Sequence, residues 1–157
     1  MKKELKNTKR KNNKGFSLVE LIVVIAIMAV LMAVLAPAML RYVEKSRIQK
    51  DRSAVSEAAH AAELALGDDD IYDKAINALG SGTTITITVS GDGTTASAAT
   101  PAVTELTDDV DKTVGNIKFA SKKYSGQTAT IVFTYNATKS AFVLTSEVIG
   151  SDTLKIN

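Results

Sequence analysis

Residues 16–40 are apolar except for Ser17, Glu20 and Pro37, and residues 21–36 carry no polar side chain at all. At about 1.5 Å per residue, a helix of this length reaches roughly 37 Å, enough to cross a bilayer core of about 30 Å. A run this apolar must lie in lipid or against other apolar helices, and the rest of the chain has to fold around that demand.

Glu20 stands near the start of the run and does not forbid membrane entry. The run holds fourteen Leu, Ile, Val and Phe residues. At best they favour insertion by roughly 4 to 8 kcal/mol, against about 2.5 to 3.5 kcal/mol for an acid at the helix centre. Glu20 lies near one end, where the cost is smaller. As a first-turn acid it also favours the local helix dipole.

Before the run, residues 1–15 hold seven Lys or Arg and one Glu. Positive charge on that side keeps it in the cytoplasm. The other 142 residues hold twelve basic and sixteen acidic side chains. The alkaline pI of 8.8 therefore belongs to the leading segment, and basic charge gives no argument for nucleic-acid binding. There is no cysteine, so no disulfide holds the fold. An ordinary secretory signal fits poorly, because the run exceeds the usual 7 to 15 apolar residues and Pro37 interrupts Ala36-Pro37-Ala38.

Gly15-Phe16-Ser17-Leu18-Val19-Glu20, with basic residues before and the apolar run after, resembles the class III signal of type IV pilins and their relatives. The resemblance covers about residues 9–50. It implies that a membrane prepilin peptidase cuts between Gly15 and Phe16 and methylates the new amino group of Phe16. It also implies that Glu20 acts in assembly and that Pro37 interrupts the N-terminal helix, with loss of helix over residues 29–37 in the filament. Electrostatics motivates the Glu20 role independently. In a bundle of such helices an unpaired carboxylate is costly, and cleavage creates a cation, the Phe16 amine of a neighbouring copy. Many pilins of Gram-negative bacteria close their C-terminal region with a disulfide, which this chain lacks.

The expected layout is a leader at residues 1–15, an apolar helix at 16–40, its amphipathic continuation at 41–66 and a globular head at 67–157. The continuation places Ile48, Val55, Ala59, Ala62 and Leu66 on one face. Asp70 is expected to cap a helix at 71–79, stopped by Gly80. Alternation predicts strands at 84–90, 117–124, 128–135 and 140–148, with a short strand at 153–156 as an addition. Residues 94–100 read as loop or weak strand. Thr100-Pro101 is expected to open a helix that ends near Gly115. The fold class is α+β: a long, Pro-kinked helix whose second half packs on a mainly antiparallel sheet of about four strands.

Other candidate sites are weaker. His60 reads as a surface residue. Asp68, Asp69, Asp70 and Asp73, and likewise Asp108, Asp109 and Asp111, read as caps and solvated acids, without the spacing of a calcium loop. Asn136-Ala137-Thr138 matches a glycosylation acceptor, a common pattern. The eight aromatics are spread along the sequence and give no support for a stacking role. No metal site, cofactor site or catalytic constellation is expected, and an enzyme is the reading least favoured.

The resemblance implies a structural subunit, polymerised with copies of itself into a surface filament for motility, adhesion or biofilm formation. Its implied partners are the prepilin peptidase, a membrane assembly platform with its ATPase, the membrane before assembly, and a host or abiotic surface. A pseudopilin of a secretion or DNA-uptake system would share the same N-terminus. A single-span anchored binding protein is the third reading and requires an uncleaved N-terminus.

Overall fold

The computed structural model describes residues 15–93 and 97–156. The expected leader, apart from Gly15, lies outside these residues, as does the 94–96 part of the doubtful 94–100 segment. The chain divides into two units, residues 1–40 and 41–157, and helix α1 (Leu18–Ala65) runs through the boundary.

In the first unit every described residue is exposed. Pro37 lies inside α1 without ending it. Its ring nitrogen has no hydrogen to give Ala33, so the helix loses one internal bond there.

The second unit is built on the alanine-rich part of α1. Val55, Ala58, Ala59, Ala61, Ala62 and Ala65 are buried. Alanine has the highest helix propensity, and its small side chain lets other elements approach closely. After α1 come α2 (Asp69–Leu79), β1 (Thr84–Ser90), β2 (Ala98–Thr100), α3 (Thr104–Val114), β3 (Thr128–Asn136), β4 (Ala141–Ile149) and β5 (Asp152–Ile156). The strands form one antiparallel sheet in the order β2-β1-β3-β4-β5. Ile85, Ile87 and Val89 alternate inward on β1, and Ala129, Ile131 and Phe133 do so on β3. They share one core with the α1 alanines, Ile71 and Ala75 of α2, and Leu106 and Val110 of α3.

The sheet thus has five strands rather than about four, and one expected strand is missing from it. Residues 117–124 alternate as a strand should, with Ile117, Phe119 and Ser121 buried. Yet they make a single bridge, Lys118 to Asp92. The donors a strand partner would have used are taken by α1. Asp51 accepts the N–H of Ala120 at 2.8 Å and of Ser121 at 2.9 Å, and Glu44 accepts that of Lys122 at 2.6 Å. Residues 98–100 form the edge strand β2, with Thr100 opposite Thr86.

Because β2 uses Thr100, α3 begins at Thr104 instead of at Thr100-Pro101. Val103 precedes it and supplies no side-chain cap. The cap of α2 is Asp68, not Asp70: its carboxylate accepts the N–H groups of Asp70 and Ile71. Gly80 and Gly115 end α2 and α3 with positive φ, as the sequence predicts.

Strand β4 changes face midway. Phe133 pairs with Leu144 but Val132 pairs with Ser146, so Thr145 is an extra residue on β4. Its hydroxyl donates to the carbonyl of Val132 at 3.0 Å. Past this bulge, Glu147 and Ile149 face the core, where simple alternation from Leu144 would have placed Ser146 and Val148.

Candidate functional site

The site starts with local chemistry at the head of α1. The four N–H groups that open a helix have no partner within it. In Ser17-Leu18-Val19-Glu20 the carboxylate reaches back, and the Ser17 N–H donates to Glu20 Oε2 at 2.9 Å. This is one half of a capping box, in which the third helical residue satisfies the donor of the cap. The sequence places Glu20 correctly in the first turn; the structure adds this specific partner.

Just before the cap, Phe16 is 88% exposed. At Gly15, a methyl group built on the α-carbon would meet nothing within 4 Å, and the backbone is not in the left-handed region. Neither packing within the described residues nor backbone geometry asks for glycine at this position. At Gly91, by contrast, the same methyl would lie 2.1 Å from the Phe119 ring, so the fold itself requires the glycine.

Glu20 is the only charged side chain between residues 16 and 40, and no described part of the chain covers it. Leu18, Val19, Leu21, Ile22 and the other large apolar residues up to Leu40 are 44–88% exposed together with Phe16. The helix contains a window with a mean hydropathy of 3.1, none of it buried, long and apolar enough to cross a membrane. Pro37 lies on this segment.

The remaining candidates are placed as follows. His60 is exposed, with Nδ1 3.8 Å from Glu63 Oε2. Asp68 is the α2 cap. Asp111 Oδ1 accepts from the Ser97 hydroxyl at 2.8 Å, and Asp109 pairs with Lys112 at 3.3 Å. Asn136 Oδ1 accepts the N–H groups of Thr138 and Lys139, so the glycosylation-like triplet is a hydrogen-bonded turn.

The reading of the aromatics as scattered is corrected by the structure. Phe142 lies 5.8 Å from Tyr72 and 5.5 Å from Tyr135, ring centre to ring centre. Strand pairing joins Tyr135 to Phe142, and α2 brings Tyr72 to them. Sequence reading also missed Asp51 and Glu147, both nearly fully buried. Glu147 accepts from the Ser56 hydroxyl at 2.9 Å. The C-terminal strand is tied down separately: Asp152 receives the Tyr124 hydroxyl at 2.8 Å and pairs with Lys123 and Arg52. The Lys123 ammonium, and then the Tyr124 hydroxyl, hold the Asp152 carboxyl below its ordinary value.

Residues 10–36 match the prokaryotic N-terminal methylation motif. The match spans the Gly15-Phe16 bond, Glu20 and most of the apolar run, and it supports a prepilin-type chain of the type IV pilin or pseudopilin kind. No curated protein and no solved structure matches the chain.

Proposed function

We propose that this chain is the precursor of a structural pilus subunit, cut between Gly15 and Phe16, methylated on Phe16 and polymerised through α1 into a surface filament. The observation that carries the reading is the exposed apolar segment of α1, headed by a carboxylate and an uncovered Gly15-Phe16 pair. The N-terminal methylation motif supports the processing step.

The chemistry runs in two stages. As a precursor, the apolar helix lies in the cytoplasmic membrane with residues 1–15 inside. Cleavage removes the basic leader and creates an amine at Phe16. Bundling then moves the helices out of lipid, and Glu20 exchanges its Ser17 contact for the Phe16 amine of a neighbour. A charged donor makes the stronger hydrogen bond in such a low-dielectric setting. Residues 29–37, which the resemblance to pilins implies lose helix, give way when the filament forms, and the bond missing at Pro37 supports this.

The test is Gly15→Val in the cell that makes the protein. The wild-type chain should yield a subunit whose mass begins at N-methyl-Phe16, in filaments visible by electron microscopy. The variant should accumulate as a longer membrane-bound precursor. Mature-size protein from the variant sinks the cleavage assignment. An uncleaved wild-type chain would make this an anchored binding protein, and a processed chain without long filaments would make it a pseudopilin.

A further inference from the structure

Within the second unit, charge is divided along the chain from α1 into α2. Residues 41–52 carry five Lys or Arg and two acids, one of which, Asp51, is buried against backbone donors. Residues 53–73 carry six acids and no Lys or Arg. Arg41, Lys45 and Lys50 are exposed and make no ion pair among the described residues. Lys45 and Glu63 lie eighteen residues apart. That is five whole turns, so they lie on the same side of the helix about 27 Å apart along its axis.

The acidic end also has a shaped surface. A cleft of about 510 Å³ is lined by Glu63, Asp69, Tyr72 and Phe142 with smaller neighbours, and its only charges are the two acids. Next to it Leu64 is 65% exposed, a large apolar side chain on an otherwise polar face. Carboxylates beside aromatic rings suit a Lys or Arg side chain, which gains from both.

We infer that the basic stretch 41–50 of one copy docks on the Glu63–Phe142 cleft of the next, with Lys45 opposite Glu63 and the copies staggered by five helical turns. This rests on the filament reading given above and specifies one contact within it. Between parallel copies the contact is heterologous and repeats from copy to copy, which is the geometry of an open fibre; between antiparallel copies the same two residues would close a dimer and stop the oligomers at two chains. Opposite charge fixes the register, because a slip of one turn sets Lys45 against Ala59 or Gly67.

The chain has no cysteine, so an introduced pair reports without background. The experiment is to make full-length chain with Lys45→Cys and Glu63→Cys together, oxidise shed filaments and run them without reductant. The expected result is a ladder of dimers and higher oligomers. A bridge within one chain is excluded, since disulfides need α-carbons within about 7 Å. The pair Lys45→Cys with Glu57→Cys, a third of a turn off that face, should give no ladder.

Wild-type filaments without a 45–63 ladder, or with an equal ladder from the 45–57 pair, overturn the contact and leave the filament reading intact. Absence of wild-type filaments overturns the filament reading itself. If the cysteine pair blocks assembly, charge exchange decides. Lys45→Glu and Glu63→Lys should each lower filament yield about tenfold or more, and the two together should restore it. No restoration overturns the contact. So does a Lys45→Glu chain that assembles normally and loses only its retention on vesicles of anionic lipid, which would mark the stretch as a lipid contact.

Discussion

Two carboxylates on α1, thirty-one positions apart, face opposite problems. Glu20 is exposed and bonded within its own first turn, so its loss leaves no buried group of the second unit without a partner. Glu20→Ala should leave cleavage after Gly15 unchanged, by mass spectrometry of the N-terminus, while filaments disappear from the cell surface. Normal filaments from that variant would remove Glu20 from assembly. Asp51 is nearly fully buried and accepts two backbone N–H groups of the loop that follows α3. Asp51→Ala strands those donors, one buried and one part-buried, at a cost of about 1–3 kcal/mol. Urea unfolding of the detergent-solubilised chain, followed by circular dichroism, should show that loss. The difference explains what could be read in advance. The contact of Glu20 lies three positions away, and a local pattern announces it. Asp51 matters through partners 69 and 70 residues away, which no local pattern reveals.

At the scale of elements, the C-terminal strand is held by a polar clip. Asp152 on β5 gathers Lys123, Tyr124 and Arg52, the last from α1. Its carboxyl is held below the ordinary value of 3.8. Its contribution is therefore complete above that value and lost as pH falls through the lower folded value. Lys123 is raised above 10.5, so its contribution is intact below that value and fades as pH rises through the folded one. The groups are partly exposed and the effect is modest. Between about pH 5 and pH 2 the urea midpoint should fall further for the wild-type chain than for Asp152→Asn, the sign required by a depressed carboxylate. Parallel curves would show that the clip carries no pH-dependent stability. The helices α1 and α2 and the alternating strands β1 and β3 were legible because each writes its period into its own residues. The 117–124 segment alternates equally well and is not a ladder strand, because α1 side chains took its donors. The switch of face in β4 was invisible for a related reason: Thr145 is ordinary strand sequence, and only its partner across the sheet makes it a bulge.

For the whole molecule, in the filament proposed above, cohesion comes from burial between chains, because no disulfide can supply it. The protein has no cysteine, and the large apolar residues from Phe16 to Leu40 are all exposed in the single chain. Filaments should therefore survive reductant unchanged and dissolve in detergents that can coat an apolar helix, as sedimentation would show. Fibres that resist such detergents would require a cohesive force other than helix burial. A further consequence concerns tension. Helix α1 is shared by both units, and in the second it is held by Asp51 to the 120–121 backbone and by Ser56 to Glu147. A pull along the helix axis strains these fastenings together, in shear, along with the alanine face beneath them. A load on such a fibre would thus be borne in parallel across the head, and the rate of giving way under force would be set by the slowest of these contacts to part.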